Sequence, residues 1–180
     1  MVKTFNVDLS DALSKRMTTR KYGNIEMPEE NLLKVLWAGI GKNRENRGRT
    51  APMPLGDVII SLYVASKDGV RLYNGENESL ESVSEDDIRD KIAHQDFVEN
   101  AANVIIMTAD IDNYPASIDN ESRKIWTHAT AGAVAQNIYL AAAALKLGTV
   151  MLAWIKHNEI EKLLPLKKGE KPLYLMPIGK

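Results

Sequence analysis

The sequence predicts a single mixed α+β domain over residues 1–180, and three observations favour this fold class. The chain has 180 residues, of which 44% are hydrophobic, which suits one domain with one sizeable core. Residues 58–65 and 103–108 are apolar, β-branched runs typical of buried strands. Residues 122–147 are rich in Ala and Leu, which are strong helix formers. Helices and strands therefore alternate, with one long central helix.

The first two predicted helices are defined by their ends. Asp8 or Ser10 caps a short helix that runs to Lys15. A second helix begins at Pro28, because proline fits the first helical position and the two acids after it suit the positive end of the helix dipole. Its apolar residues recur on one face until glycines end it at 39–41.

The rest of the chain predicts alternating loops, strands and helices. Residues 42–57 are rich in Arg, Asn, Gly and Pro and predict a loop, and Asp68-Gly69 is a hairpin turn. The acidic stretch 76–90 predicts a solvated surface. The predicted strands are 58–65, 70–73, 103–108, 149–153 and 173–178. The remaining predicted helices are 86–93, 122–147, which Gly148 ends, and 157–164.

Composition argues against several kinds of catalytic site. The chain has no Cys, which excludes disulfides, Cys-ligated zinc, iron–sulfur clusters and a thiol nucleophile. Its three His are widely spaced, and we expect His94 and His128 to be structural. The formal charge of -1 argues against a nucleic-acid partner. With no signal segment and no membrane-length apolar run, we expect a cytoplasmic protein. An enzyme of this composition would take its chemistry from a cofactor.

Two basic segments are candidates for binding an anion. In an extended chain, alternation sends Arg16, Thr18 and Arg20 to one side, where two guanidiniums and a hydroxyl could clamp a phosphate. The alternative is a solvated basic surface. The second segment carries three arginines, Arg44, Arg47 and Arg49. It could contact an anionic ligand or simply repel self-association, with nucleic-acid binding as a third alternative that the balanced charge disfavours.

A family resemblance begins at the first of these segments. The run Arg16-Met17-Thr18-Thr19-Arg20-Lys21-Tyr22 resembles the signature R-x-[ST]-x-R-x-[FY] of the nitroreductase-like flavoproteins. The resemblance continues in order along nearly the whole chain and is greatest to a short subgroup related to the SagB-type dehydrogenase domain. The further similar segments are 36–39, 49–52, 68–73, 132–140, 147–150 and 173–179.

The resemblance implies an FMN-dependent oxidoreductase. Its expected fold is α+β, with a central mixed β-sheet flanked by helices, in a homodimer that binds flavin at the subunit interface. Reduced nicotinamide, NAD(P)H, would deliver hydride to the flavin in a ping-pong cycle. The second substrate would be a small-molecule acceptor such as a nitro compound or quinone. No nucleic acid or membrane is implied as a partner.

The resemblance also assigns cofactor contacts by position. The matching residues are Arg16, Met17, Thr18, Arg20, Pro52, Met53, Pro54, Met151, Leu152, Ala153, Trp154 and Lys180. The first three bind the FMN phosphate, and Arg20 reaches the flavin ring and ribityl chain. The loop 52–54 comes from the neighbouring subunit, the backbone of 151–154 gives a donor to flavin N5, and Lys180 helps with phosphate. No catalytic side chain is expected, because flavin carries the chemistry.

Three departures from the family pattern bear on function. Met53, followed by Pro54, replaces a usual Ser, and Thr130 stands where an acidic residue is common. The chain stops at Lys180, where many members continue with a basic tail. These departures keep open an alternative, a flavin-binding protein without efficient turnover. The loop composition of residues 110–121 predicts a substrate lid.

Overall fold

A computed structural model describes residues 3–23, 25–45, 48–56 and 59–180. The helices in this part of the chain are α1 (Leu9–Lys15), α2 (Glu29–Ile40), α3 (Asn120–Ala144) and α4 (His157–Leu163). The strands are β1 (Ile60–Ser66), β2 (Gly69–Asn74), β3 (Ser79–Ser84), β4 (Asn103–Asp110), β5 (Gly148–Thr149) and β6 (Glu170–Gly179). The predicted start of the first strand at Val58 lies outside the described residues.

The six strands form one sheet with the order β3-β2-β1-β4-β6-β5. Every pairing between these strands is antiparallel. Within the described residues, parallel pairing is limited to one bridge between Thr18 and Thr149. The predicted α+β fold is confirmed. The sheet was expected to mix parallel and antiparallel pairing, and in the described residues that bridge is its parallel part.

Each face of the sheet carries its own buried core. Along β4, Ile105 and Met107 belong to the core beneath α2 and α3, whereas Val104 and Ile106 belong to the core on the α4 side. This alternation follows from the two-residue period of a strand. Both faces are covered, which explains why the β4 run is uniformly apolar instead of alternating.

The predicted helices are present except for 86–93, where side chains form hydrogen bonds with the nearby backbone. Asp8 caps α1 by accepting from the Asp11 N–H at 2.7 Å. The long helix begins two residues earlier than predicted and ends at Ala144, before Gly148. Gly148 does not end it, because Lys146 takes the left-handed conformation with φ 57° and Gly148 already belongs to β5. The predicted strand 149–153 is correspondingly short.

The predicted helix 86–93 is wrong, and its own polar side chains explain why. The Asp86 N–H donates to the Ser84 hydroxyl at 3.1 Å, and the Arg89 N–H donates to Asp87 at 3.1 Å. The Arg89 guanidinium also donates hydrogen bonds to both carboxylate oxygens of Asp87 and to the Ala101 carbonyl. Such bonds compete with helical ones, so the segment folds as successive turns.

The acidic stretch contains a strand that the sequence did not predict. β3 is the edge strand, and its residues alternate poorly because the pairing with β2 shifts register at Val70/Arg71. Two of its residues, Glu81 and Ser82, are exposed, as in the predicted solvated surface. An edge strand with no buried residue lacks the apolar run that identified β1 and β4.

Candidate functional site

The basic segment after α1 lies along the edge of the sheet. Arg16 leaves the helix in an extended conformation, with φ −61° and ψ 119°. Thr18 then pairs in parallel with Thr149 of β5, and the Thr19 N–H donates to the Thr149 carbonyl at 3.0 Å. The segment therefore acts as a short additional strand beside β5, fixed by backbone bonding.

The side chains of residues 18–20 alternate between solvent and protein. Thr19 faces Gly148 so closely that a Cβ built there would lie 2.6 Å from the Thr19 methyl. Thr18 and Arg20, on either side of it, are exposed. The alternation predicted from sequence holds for these two residues, but Arg16 is half-buried and Met17 is 67% exposed. The convergence of Arg16, Thr18 and Arg20 on a phosphate stays a prediction.

Tyr139 of α3 connects the basic segment to the chain that follows β5. The Arg16 guanidinium carbon lies 5.4 Å from the centre of the Tyr139 ring, within range of a cation–π contact. The Tyr139 hydroxyl accepts a hydrogen bond of 2.8 Å from the Met151 N–H. Tyr139 is not among the site residues predicted from the sequence. Its one signal was a polar-tipped aromatic ring in a helix otherwise rich in Ala.

The backbone of residues 151–154 divides into a bonded and an exposed part. The Met151 N–H is committed to Tyr139, and the Leu152 N–H donates to the Leu175 carbonyl at 2.8 Å. Ala153 and Trp154 are exposed, the latter with 66% of its surface accessible. Of the four predicted donors to a flavin ring, the first two N–H groups are thus already used within the protein.

Tyr22, the last residue of the signature, fixes the segment through hydrogen bonds of its side-chain hydroxyl. Its hydroxyl donates to the Thr19 carbonyl at 2.7 Å and lies 3.1 Å from the Pro177 carbonyl. Burial raises the pKa of this hydroxyl well above its ordinary value. The nearby Tyr139 acts in the same direction and Arg20 opposes them. Tyr22 therefore stays neutral and keeps its proton for the bond to Thr19.

Lys180 lies at the same edge of the sheet. Its carbonyl accepts a hydrogen bond from the Gly23 N–H, and its side chain is exposed. The preceding Gly179 pairs with Gly148 in the β5–β6 ladder. Met17 is 67% exposed between the bonded residues of the basic segment. The first signature residues and the last residue of the chain are thus attached to the same short strand.

The chain matches one protein family along most of its length. The family model described as Nitroreductase family matches residues 13–180. The chain belongs to the Nitroreductase family. A Methanocaldococcus jannaschii protein that is named as a nitroreductase is 30% identical to this chain over 184 residues. The match covers 97% of this chain and 91% of the relative.

Solved structures resemble this nitroreductase-family chain along its whole length. One from Ralstonia eutropha JMP134, also named with the word nitroreductase, has a TM-score of 0.92 and 31% identity. The similarity covers 100% of this chain and 86% of that one. Another from Desulfovibrio desulfuricans, solved in complex with FMN, has a TM-score of 0.65 and 25% identity, with 93% and 83% covered. Family membership supports an oxidoreductase.

The loop 52–54 is held away from the family signature within one chain. Met53 packs against the core beneath α2 and α3, whereas Pro52 is exposed. Pro54 begins a short 3₁₀ turn in which Leu55 has φ 57° and is 57% exposed. No described hydrogen bond, ion pair or ring contact joins this loop to residues 16–20, both of which lie in the described part of the chain.

Arg49, in the second basic segment, has a structural role. Its guanidinium pairs with Glu76 and donates to the Gly75 carbonyl at 3.2 Å, and its side chain is 10% exposed. Arg44 donates to Asn43 at 2.9 Å. Arg47 lies outside the described residues. The fold thus uses the charge of Arg49 to attach the loop to the β2–β3 turn. Contact between Arg49 and an anionic ligand stays a prediction.

Both histidines predicted to be structural are exposed and contact an aromatic residue. The His94 ring stacks on Trp154 with centroids 4.9 Å apart, and the His128 Nδ1 lies 2.9 Å from the Tyr174 hydroxyl. A search of the described residues finds no group of three His, Cys, Asp or Glu that could hold a metal ion. In the same part of the chain, no helix has the length and apolarity to cross a membrane.

Proposed function

We propose that this protein is an FMN-dependent oxidoreductase that passes two electrons from reduced nicotinamide to a small acceptor, such as a quinone or nitro compound. One observation carries the proposal. The signature segment 16–20 pairs with β5 at Thr149, and the exposed backbone of 153–154 follows that strand, so that basic side chains and exposed backbone lie along one edge of the sheet. Flavin phosphate and flavin ring need these two kinds of surface at opposite ends of one site.

The charged groups at this edge fit the FMN phosphate. The ring of Tyr139 holds Arg16 in place, Thr18 presents an exposed hydroxyl, and Arg20 and Lys180 are exposed cations. Guanidiniums suit phosphate because their N–H groups match two oxygens at once. We assign phosphate binding to Arg16 and Thr18, with Met17 contributing through its backbone.

The other end of the edge fits the flavin ring. Since Met151 and Leu152 use their N–H groups within the protein, we assign the donor to flavin N5 to Ala153 or Trp154. Arg20 is the cation that would reach the ring. FMN, when bound, supplies a ring that takes up hydride and releases two electrons. With a quinone, NAD(P)H and one proton yield NAD(P)⁺ and the hydroquinone, so no side chain changes oxidation state.

We further propose that two copies of the chain complete the site. Residues 52–54 are expected to contact FMN, yet within one chain they have no described contact with residues 16–20. A second subunit that brings its own 52–54 loop to the edge would resolve this. Met53 would contribute an apolar contact where a hydroxyl is usual.

The visible spectrum of the purified protein tests the proposal. We expect the absorption bands of oxidised flavin, and their loss when NADH or NADPH is added without oxygen. A colourless protein that takes up no added FMN would overturn the proposal. Uptake of FMN without bleaching by either nicotinamide would instead favour a flavin-binding protein without turnover.

A further inference from the structure

We propose that the exposed stack of Trp154 on His94 is the platform against which a planar aromatic acceptor binds. This inference rests on the proposed function for the identity of the ligand as an electron acceptor. The platform itself follows from contacts on either side of the two residues. It assigns to the Trp154 side chain a role in acceptor choice, separate from the backbone contact with the cofactor proposed above.

Backbone pairing places the two rings side by side. Ala93 and Ile155 form an antiparallel bridge, and the Lys156 N–H donates to the Ile92 carbonyl at 3.0 Å. In an antiparallel pair, the residue after one bridge partner lies opposite the residue before the other partner. His94 therefore lies opposite Trp154. Their ring planes are 19° apart and their centroids 4.9 Å apart, the geometry of a stack.

The exposure of Trp154 is unusual for its residue type and for this chain. Trp37 is 7% exposed and Trp126 is half-buried, but Trp154 is 66% exposed. The transfer of a large apolar ring out of water is favourable. An exposed aromatic ring that is already fixed in place is therefore suited to bind a ligand. Because the indole is rigid and already oriented, little conformational entropy is lost when a flat molecule covers it.

The surroundings of the stack favour an aromatic ligand over a charged one. His94 lines a cleft of about 310 Å³. The charged residues around that cleft are Arg89, Lys156, Asp90, Asp96 and Glu99. Both signs of charge are present, so the cleft offers no strong preference for an anion or a cation. An electron-rich indole stacks well on electron-poor rings, which is the property shared by nitroarenes and quinones.

The position of the stack connects it to the proposed reaction. Trp154 follows Ala153 in the exposed backbone that we assign to the flavin ring. An acceptor must approach within reacting distance of that ring. A flat molecule lying on the indole would be held beside the same edge.

Specificity kinetics of Trp154→Ala and Trp154→Phe test the inference, with menadione as a planar acceptor and ferricyanide as an acceptor that does not stack. We expect the ratio of kcat/KM for menadione to that for ferricyanide to fall about tenfold in Trp154→Ala, as for loss of one aromatic stacking contact. Trp154→Phe should restore most of the ratio. Ile125→Ala is the control, because Ile125 is 59% exposed on α3, beyond the opposite face of the sheet. An unchanged ratio in a Trp154→Ala protein that holds FMN would overturn the inference and leave the proposed function standing.

A binding measurement provides a readout that does not depend on turnover. Calorimetric titration of the protein with 4-nitrobenzamide, a neutral planar nitroarene, should give a Kd that rises severalfold in both His94→Ala and Trp154→Ala. Equal affinity in wild type and both variants contradicts the inference. Binding that depends on these residues in a protein that takes up no FMN would support the platform while overturning the proposed function.

Discussion

The two parts of the candidate cofactor site differ in how the chain holds them. The segment 16–20 is bound from three directions, by β5, by Tyr22 beneath it and by Tyr139 of α3. The loop 52–54 is bound only from behind, with Met53 on the core and Pro52 exposed. One part is fixed by contacts within its own chain, and the other has no described contact with it.

This difference shows where the conformational cost of binding has already been met. Residues fixed by the fold lose little entropy when a ligand arrives, so the segment 16–20 can bind a phosphate at small cost. The loop is positioned indirectly, through its base. The Trp37 indole N–H donates to the Lys42 carbonyl at 3.1 Å, and the Asn137 amide donates to the Thr50 carbonyl at 3.1 Å. Substitutions in the loop support and in the segment 16–20 should therefore have different effects.

The largest expected effect is on the support of the loop. Trp37→Ala should lower the free energy of unfolding by roughly 3–5 kcal/mol, because it empties a buried site and removes the bond to Lys42. Urea unfolding measures this loss. Trp126→Ala is the matched control, and since Trp126 is only half-buried its cost should be smaller. Equal costs would mean that Trp37 is no special support. In the folded fraction, we expect no direct effect on the phosphate contacts.

The next effect concerns the segment itself. Arg16→Ala should weaken FMN binding by about 1.5–3 kcal/mol, the usual value of a hydrogen bond to a charged group. Fluorescence titration of the apoprotein with FMN gives the Kd. Lys15→Ala is the control, because that lysine pairs with Asp11 on α1. If both variants keep wild-type affinity, Arg16 belongs to a solvated basic surface, the alternative that its sequence left open.

Sequence patterns predicted the fold well where one physical cause dominated. The buried strands β1 and β4 and the helices α1 to α4 follow from apolar periodicity and end signals. The failures arise where polar side chains bond to the backbone, as at Asp87 and Arg89, or where an edge strand has no buried residue, as in β3. Local side-chain bonds of this kind have no periodicity that a sequence reveals.

The candidate site could be predicted only in part for a related reason. The spacing of Arg16, Thr18 and Arg20 is local, and an extended chain fixes which side each takes. The partners Tyr139 and His94 become neighbours of the site only through tertiary contacts between distant segments. The same holds for Arg49, whose charge looked available until the β2–β3 turn supplied Glu76.

A smaller effect tests how closely the segment 16–20 is fitted to β5. Gly148→Ala should destabilise the fold by about 1–3 kcal/mol, because the added Cβ would lie 2.6–2.9 Å from Thr19 side-chain atoms and overpacks the contact. It should also weaken FMN binding by displacing Thr18. Gly132→Ala is the control: its Cβ would meet nothing within 4 Å, so it should gain up to about 1 kcal/mol of helix propensity. Urea unfolding of both variants measures the difference, and a stabilised Gly148→Ala would contradict the close fit.

The smallest expected effect is on acid stability, in a region remote from both parts of the site. The hydrogen bond from Arg89 holds the pKa of Asp87 below its ordinary value, so this carboxylate stabilises the fold above about pH 4, the unfolded value. Its contribution is lost as the pH falls through the lower folded pKa. Because Asp87 is partly exposed, we expect about 1 kcal/mol or less. In urea unfolding, Asp87→Asn should be less stable than wild type at pH 6, and the gap should narrow as the pH falls below about 4. Glu30→Gln, which removes a fully exposed partner of Lys34, should change stability less. A gap between Asp87→Asn and wild type that stays constant from pH 6 to pH 3 would show that the Asp87–Arg89 pair does not carry this charge-dependent stability.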